Sequence, residues 1–197
     1  MLKVWMKTIN TYHFKTPTFI TMNIAKEHKA IDDALDSYRA RLDTIPDELF
    51  TETPPGGGWS YAEVYSHILQ ATLGSSIALE RCVHNNCHPT TKGPTFLGRL
   101  MMFTGSFPPV RVKVPAKVDA KMPAAKISKE EAKNLIVKCR KRIEDIAPLV
   151  KDSPQGARHK HPRLGMLDGK QWFKFIRIHA YHHLKQLERV TKKFKQR

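Results

Sequence analysis

Three histidines, His67, His179 and His183, are the residues of this chain whose type and spacing suit chemistry. His179 and His183 lie four residues apart in the run from Trp172 to Gln186. That is close to one helical turn, so both imidazoles project from the same side of a helix. His67 follows a second helix start at Trp59-Ser60-Tyr-Ala-Glu63. Two imidazoles on one helix and a third from a neighbour make a three-ligand site for a divalent metal, with positions left open. Such a site is more often catalytic than structural. The plainer alternative is a set of core histidines satisfied by hydrogen bonds. It suffices for one inward histidine, but it weakens for a pair at one-turn spacing with a third at hand, because burying unpaired imidazoles is costly.

The element that must position the pair is an amphipathic helix opened by Asp168, with Gln171 as its capping-box partner. At about 100° per residue, Trp172, Ile176, His179, His183, Leu187 and Val190 fall in one stripe. Gln186 sits at its edge, and His182 falls off its centre, toward the rim. Three further helices can be read. One runs from about Asn23 to Leu42, with Ile24, His28, Ile31, Leu35, Tyr38 and Leu42 at steps of three and four. The loop 51–58, rich in Pro and Gly, follows it. A second starts at Ser60 with Glu63 as capping partner, and its inner face reads Val64, Ile68, Ala71, Ser75, Ala78, Leu79 and Cys82. His67 lies on the flank of that face. Another starts at Ser128 with Glu131, and aligns Ala132, Leu135, Ile136, Cys139, Ile143, Ile146 and Val150. Between the second helix and this one, residues 86–127 are proline-rich. A short helix is expected near 95–103, and Val110, Val112 and Val114 alternate like a brief strand. The segment 153–167 reads as a basic, turn-rich loop. Two short connections and one long one predict an all-α protein, a four-helix bundle with a long crossover loop between helices 2 and 3. Residues 1–21 are expected to be an N-terminal arm and residues 22–197 the bundle domain.

The chain has 197 residues, enough for one domain with a full core. No apolar run reaches the length of a membrane span, and the first residues lack the apolar stretch of a secretory signal. Three cysteines, Cys82, Cys87 and Cys139, are too few for a disulfide scaffold and suit a reducing cytoplasm. The formal net charge of +16 invites a nucleic-acid reading. The cations are dispersed, however, with Lys138, Arg140, Lys141 and Arg142 in mid-chain and Lys192, Lys193, Lys195 and Arg197 at the end. An anionic small-molecule substrate accounts for the charge equally well, and nucleic acid is the less favoured partner.

The stretches Gly58-Trp59-Ser60 through Glu63 to His67, His161-Pro162 with Gly165 and Trp172, and His179-Ala-Tyr-His-His183-Leu-Lys-Gln186 together resemble the DinB/YfiT-like superfamily, over roughly residues 22–192. The resemblance implies a four-helix bundle holding a divalent metal, often zinc or nickel, through three histidines. These map to His67, His179 and His183. Some members use a low-molecular-weight thiol such as bacillithiol, mycothiol or glutathione for transfer or isomerisation, and others are called metal-dependent hydrolases. The basic N-terminal arm and the long loop between helices 2 and 3 depart from the family pattern. Gln186 and Trp59 are expected to support the metal ligands from behind or to pack against them. No carboxylate in these motifs stands out as a general base, since Glu63 is better read as a cap.

Other constellations carry less. Cys82-Val-His84-Asn-Asn-Cys87-His88 lacks the matched second half of a zinc knuckle. His159-Lys-His161 is expected to be solvated in its loop. Gly56-Gly57-Gly58 follows no strand and lacks a P-loop tail, so a flexible turn is expected there. The reading is a metal-dependent hydrolase or thiol S-transferase acting on a small molecule. A homodimer is left open. The rival is a non-catalytic basic bundle that binds nucleic acid or a protein partner and keeps the metal as a structural element.

Overall fold

The computed structural model describes residues 22–87, 89–109, 124–154 and 156–196. The expected arm 1–21, the Val110–Val114 alternation and His88 lie outside them. Four long helices make the body: α1 (Ile24–Thr44), α3 (Tyr61–Val83), α5 (Lys129–Ile146) and α6 (Gly169–Lys195). Among the described residues two short ones, α2 (Asp47–Phe50) and α4 (Phe96–Thr104), lie in the connections. A 3₁₀ turn (Ala147–Val150) extends α5.

The helix starts are where the capping chemistry puts them. Asn23 caps α1, and Ser60, Ser128 and Asp168 open α3, α5 and α6, each in a two-way capping box with Glu63, Glu131 and Gln171. Thr95 caps α4 through the amide of Gly98. Each long helix buries one face in a shared core that includes Ile31, Leu35, Leu69, Ile143, Phe173 and Ile176. Two buried tyrosines satisfy their hydroxyls across the bundle. Tyr38 donates to the Ala180 carbonyl at 2.7 Å, and Tyr65 to the Tyr38 carbonyl at 2.8 Å.

Side-chain pairs set the helix directions. Arg177–Glu27 and Arg41–Glu188 make α1 and α6 parallel neighbours. Cys139 with the Leu69 carbonyl, and Arg142 with Glu80, make α3 and α5 parallel neighbours. Tyr61 meets Thr191 at 2.9 Å while Cys82 faces Leu167, so α3 runs antiparallel to α6. Around the bundle the order is therefore α1, α6, α3, α5. Parallel neighbours cannot be joined by a tight turn. The α3–α5 connection must travel back along the bundle, which is why it is long. The shorter links, α1 to α3 and α5 to α6, cross the ends of the bundle diagonally.

The expected basic loop before α6 is in fact a hairpin. β1 (Arg158–His161) pairs antiparallel with β2 (Gly165–Asp168). His161 is correspondingly half-buried, not solvated. Its Nδ1 accepts from the amides of Arg163 and Leu164 at 3.2 and 3.1 Å and so closes the turn. The alternation that marks a strand is masked in a segment of four residues that is mostly basic. Gly165 has φ +85°, and a Cβ there would lie 2.8 Å from the Gly93 carbonyl oxygen. This close approach docks the residues before α4 onto the hairpin, with Thr95 donating to the Leu164 carbonyl at 2.8 Å. Gly56, Gly57 and Gly58 all have positive φ, in keeping with a turn.

Candidate metal centre

The apolar stripe of α6 decides what its histidines face. Trp172, Ile176, Leu187 and Val190 are all buried, which turns His179 and His183 inward. His183 is 6% exposed and His179 is half-buried. From α3, half-buried His67 comes to meet them. Ligand-capable atoms of the three residues all lie within 4.8 Å of one another. Nε2 of His183 stands 3.0 Å from Nε2 of His179, and the His67 ring centroid is 4.7 Å from that of His183.

Gln186 sits 2.7 Å from Nδ1 of His183 through Oε1. With the amide oxygen so placed, Nδ1 carries the proton and donates it, which leaves the Nε2 lone pair pointing inward. Burial pushes the His179 and His183 pKa values well below the ordinary histidine range, and the neighbouring imidazoles push the same way. Both are therefore neutral near pH 7, the form a metal requires. Two neutral imidazoles meeting Nε2 to Nε2 can share only one proton between them, whereas both lone pairs can contact a cation. The donor set thus fits a divalent metal ion.

Aromatic rings wall the cluster. Trp59 lies 5.0 Å from the His67 ring and stacks parallel to His183 at 6.5 Å. Phe175 stacks on His179 at 5.1 Å. Phe107, from the segment after α4, is 6.0 Å from His179 and 4.3 Å from His182. His182 is half-buried at the rim, where burial, then Arg189 and Lys185, lower its pKa. Phe175 was within reach of sequence reasoning, one turn before His179. Phe107 was not, because a loop residue carries no periodic signal.

The remaining constellations separate from the triad. Glu63 is used as a cap, its carboxylate accepting from the amide and hydroxyl of Ser60 at 2.8 and 2.7 Å. Cys82 is buried beside Cys87, and His84 is exposed at the end of α3. Of the mid-chain cations, Arg140 pairs with Asp32 and Asp36 and Arg142 pairs with Glu80. Two surface cavities, of about 170 and 870 Å³, are lined by other residues and include no triad histidine. Among the described residues no helix is long and apolar enough to cross a membrane.

Two solved structures share the architecture. A four-helix bundle protein, TT2238, is 18% identical with a TM-score of 0.55, over 84% of this chain and 98% of its own. YfiT from Bacillus subtilis is 12% identical with a TM-score of 0.59, over 91% of this chain and 92% of its own. YfiT is described as a probable metal-dependent hydrolase with an unusual four-helix bundle topology. No curated protein matches the chain. The sequence model of the DinB superfamily matches residues 30–187, from the first turns of α1 to Leu187 beyond the histidine pair. With most of its length matched by that model and its helices arranged as described, the chain belongs to the DinB superfamily.

Proposed function

We propose that this protein is a metal-dependent enzyme in which His67, His179 and His183 hold one divalent ion, zinc or nickel, and act on a small molecule by hydrolysis or by transfer of a low-molecular-weight thiol. The observation that carries this reading is the convergence of the three imidazoles, where burial keeps His179 and His183 neutral. A divalent ion bound there would lower the pKa of a coordinated water or thiol and polarise an electrophile. Within the chain, Gln186 holds His183 in the ligating tautomer, and Trp59 and Phe175 keep the rings from swinging out. Lys185 and Arg189, close enough to lower the pKa of His182, favour a substrate that carries negative charge. Three neutral ligands would leave the full charge of the ion to act on that substrate.

Protein purified without added metal should contain about one divalent ion per chain by elemental analysis. His179→Ala/His183→Ala should lose it while helical circular dichroism is kept. Undiminished stoichiometric metal in the double variant would overturn the assignment. A panel of ester and amide substrates, run beside conjugation assays with bacillithiol, mycothiol and glutathione, separates the two reaction classes.

A further inference from the structure

The C-terminus of α3 is a Schellman turn. Asn85 adopts the left-handed conformation (φ 53°), Asn86 N–H donates to the Arg81 carbonyl at 2.7 Å, and Asn85 N–H donates to the Cys82 carbonyl at 3.1 Å. The turn reverses the chain and lays Cys87 back over the last turn of the helix. There the Cys87 and Cys82 sulfurs stand 3.7 Å apart. Cys82 is fully buried. Cys87 is half-buried and lines the open cavity of about 870 Å³, together with Thr91, Lys92 and Ala157. Cys139 is buried in α5, with its thiol directed at the Leu69 carbonyl.

We propose that Cys87 and Cys82 form a reversible thiol–disulfide pair, in which a small hydroperoxide reaches Cys87 through the cavity and Cys82 resolves the oxidised sulfur.

The two thiols are unequal in the way this chemistry needs. Burial pushes the Cys82 thiol up to about 12, and the Cys139 thiol likewise. Neither is a thiolate near neutral pH, so neither is the first to react. Cys87 is the accessible sulfur of the three, and Lys92 brings a positive charge to its cavity. A disulfide needs the sulfurs at about 2 Å. Cys87 lies outside the helix, where a side-chain rotation and a small movement of the turn can close the gap.

In the first step the Cys87 thiolate attacks one peroxide oxygen. The O–O bond breaks, hydroxide leaves and is protonated to water, and the sulfur becomes a sulfenic acid, oxidised by two electrons. In the second step the Cys82 sulfur attacks the Cys87 sulfur. The S–O bond breaks, the departing hydroxide takes the Cys82 proton as water, and the S–S bond forms. Two thiols and one hydrogen peroxide give one disulfide and two waters. Oxidation also removes the Cys82 S–H directed at the Leu167 carbonyl, next to the N-cap of α6.

The test is to treat the reduced protein with stoichiometric hydrogen peroxide, alkylate it after denaturation and analyse it by mass spectrometry. The expected result is loss of two of the three alkylatable thiols, a mass lower by two hydrogens in a sample taken before alkylation, and a linked Cys82–Cys87 peptide that reductant reverses. Cys82→Ser should stop at a sulfenic acid on Cys87 that a dimedone-type probe traps, and Cys87→Ser should keep its thiols at the same dose. Three intact thiols in the native chain, over-oxidation of Cys87 without a linked peptide, or disulfides only between molecules would each overturn the proposal.

Discussion

Gln186→Leu tests whether the support behind the histidines matters to the metal. In the native chain the Gln186 Oε1 accepts from His183 Nδ1 at 2.7 Å. The substitution removes that acceptor from a half-buried position on a long helix, and leucine is a good helix former, so the bundle should stay folded. Without the acceptor, the neutral imidazole is free to move its proton to Nε2, where it blocks ligation. Loss of such a partner costs about 10- to 100-fold in metal affinity, which corresponds to about 1.4–2.7 kcal/mol. A neutral hydrogen bond by itself is worth about 0.5–1.5 kcal/mol. A loss near tenfold therefore reports the bond alone, and a larger one reports the change of tautomer as well. Zinc affinity should be measured by competition with a chromogenic chelator, with circular dichroism as the control for folding. Gln186→Glu, which keeps an acceptor and adds charge, should bind at least as tightly as the native chain. Native zinc affinity in Gln186→Leu, or equal weakening in both variants, would refute the reasoning.

His182→Ala should retain the metal and His183→Ala should not, because His182 points to Phe107 at the rim while His183 faces His179; elemental analysis decides, and the opposite pattern would mean that α6 is rotated. Gly98→Ala would place a Cβ 2.4 Å from the Leu164 carbonyl oxygen. A loss of about 1–3 kcal/mol is expected from such overpacking, and an unchanged melting temperature would show that the α4–hairpin contact is looser than described. Burial lowers the His161 pKa from 6.5 to about 4. The unfolded chain therefore takes up this proton first, and the stability His161 contributes is complete above pH 6.5 and lost as the pH falls toward 4. The full gap corresponds to about 3 kcal/mol, and partial exposure reduces it to roughly 1–2 kcal/mol. His161→Phe should flatten the fall in urea midpoint between pH 7 and 5, and parallel profiles for the two proteins would contradict this.

The helices were legible because their signals are local. Ser60, Ser128 and Asp168 open helices through bonds to residues three positions on, and the stripe from Trp172 to Val190 needs only the helical period to put His179 and His183 on one side. The short helix after Thr95 was readable for the same reason. The hairpin at 158–168 was not. Its strands are four residues each, and they are held by Gly165 fitting against residues 93–95, a contact between segments distant in the chain. Sequence alone could say that the connection after α3 is long. That α3 and α5 are parallel neighbours, and that the short links cross the diagonals, follows from which apolar faces pack together and from pairs such as Arg142–Glu80 and Tyr61–Thr191. The site divides in the same way. The i, i+4 spacing of His179 and His183 belongs to one helix and is written in the sequence. The arrival of His67 from α3 and the Phe107 wall depend on how separate segments fold back on one another, and no local period encodes that.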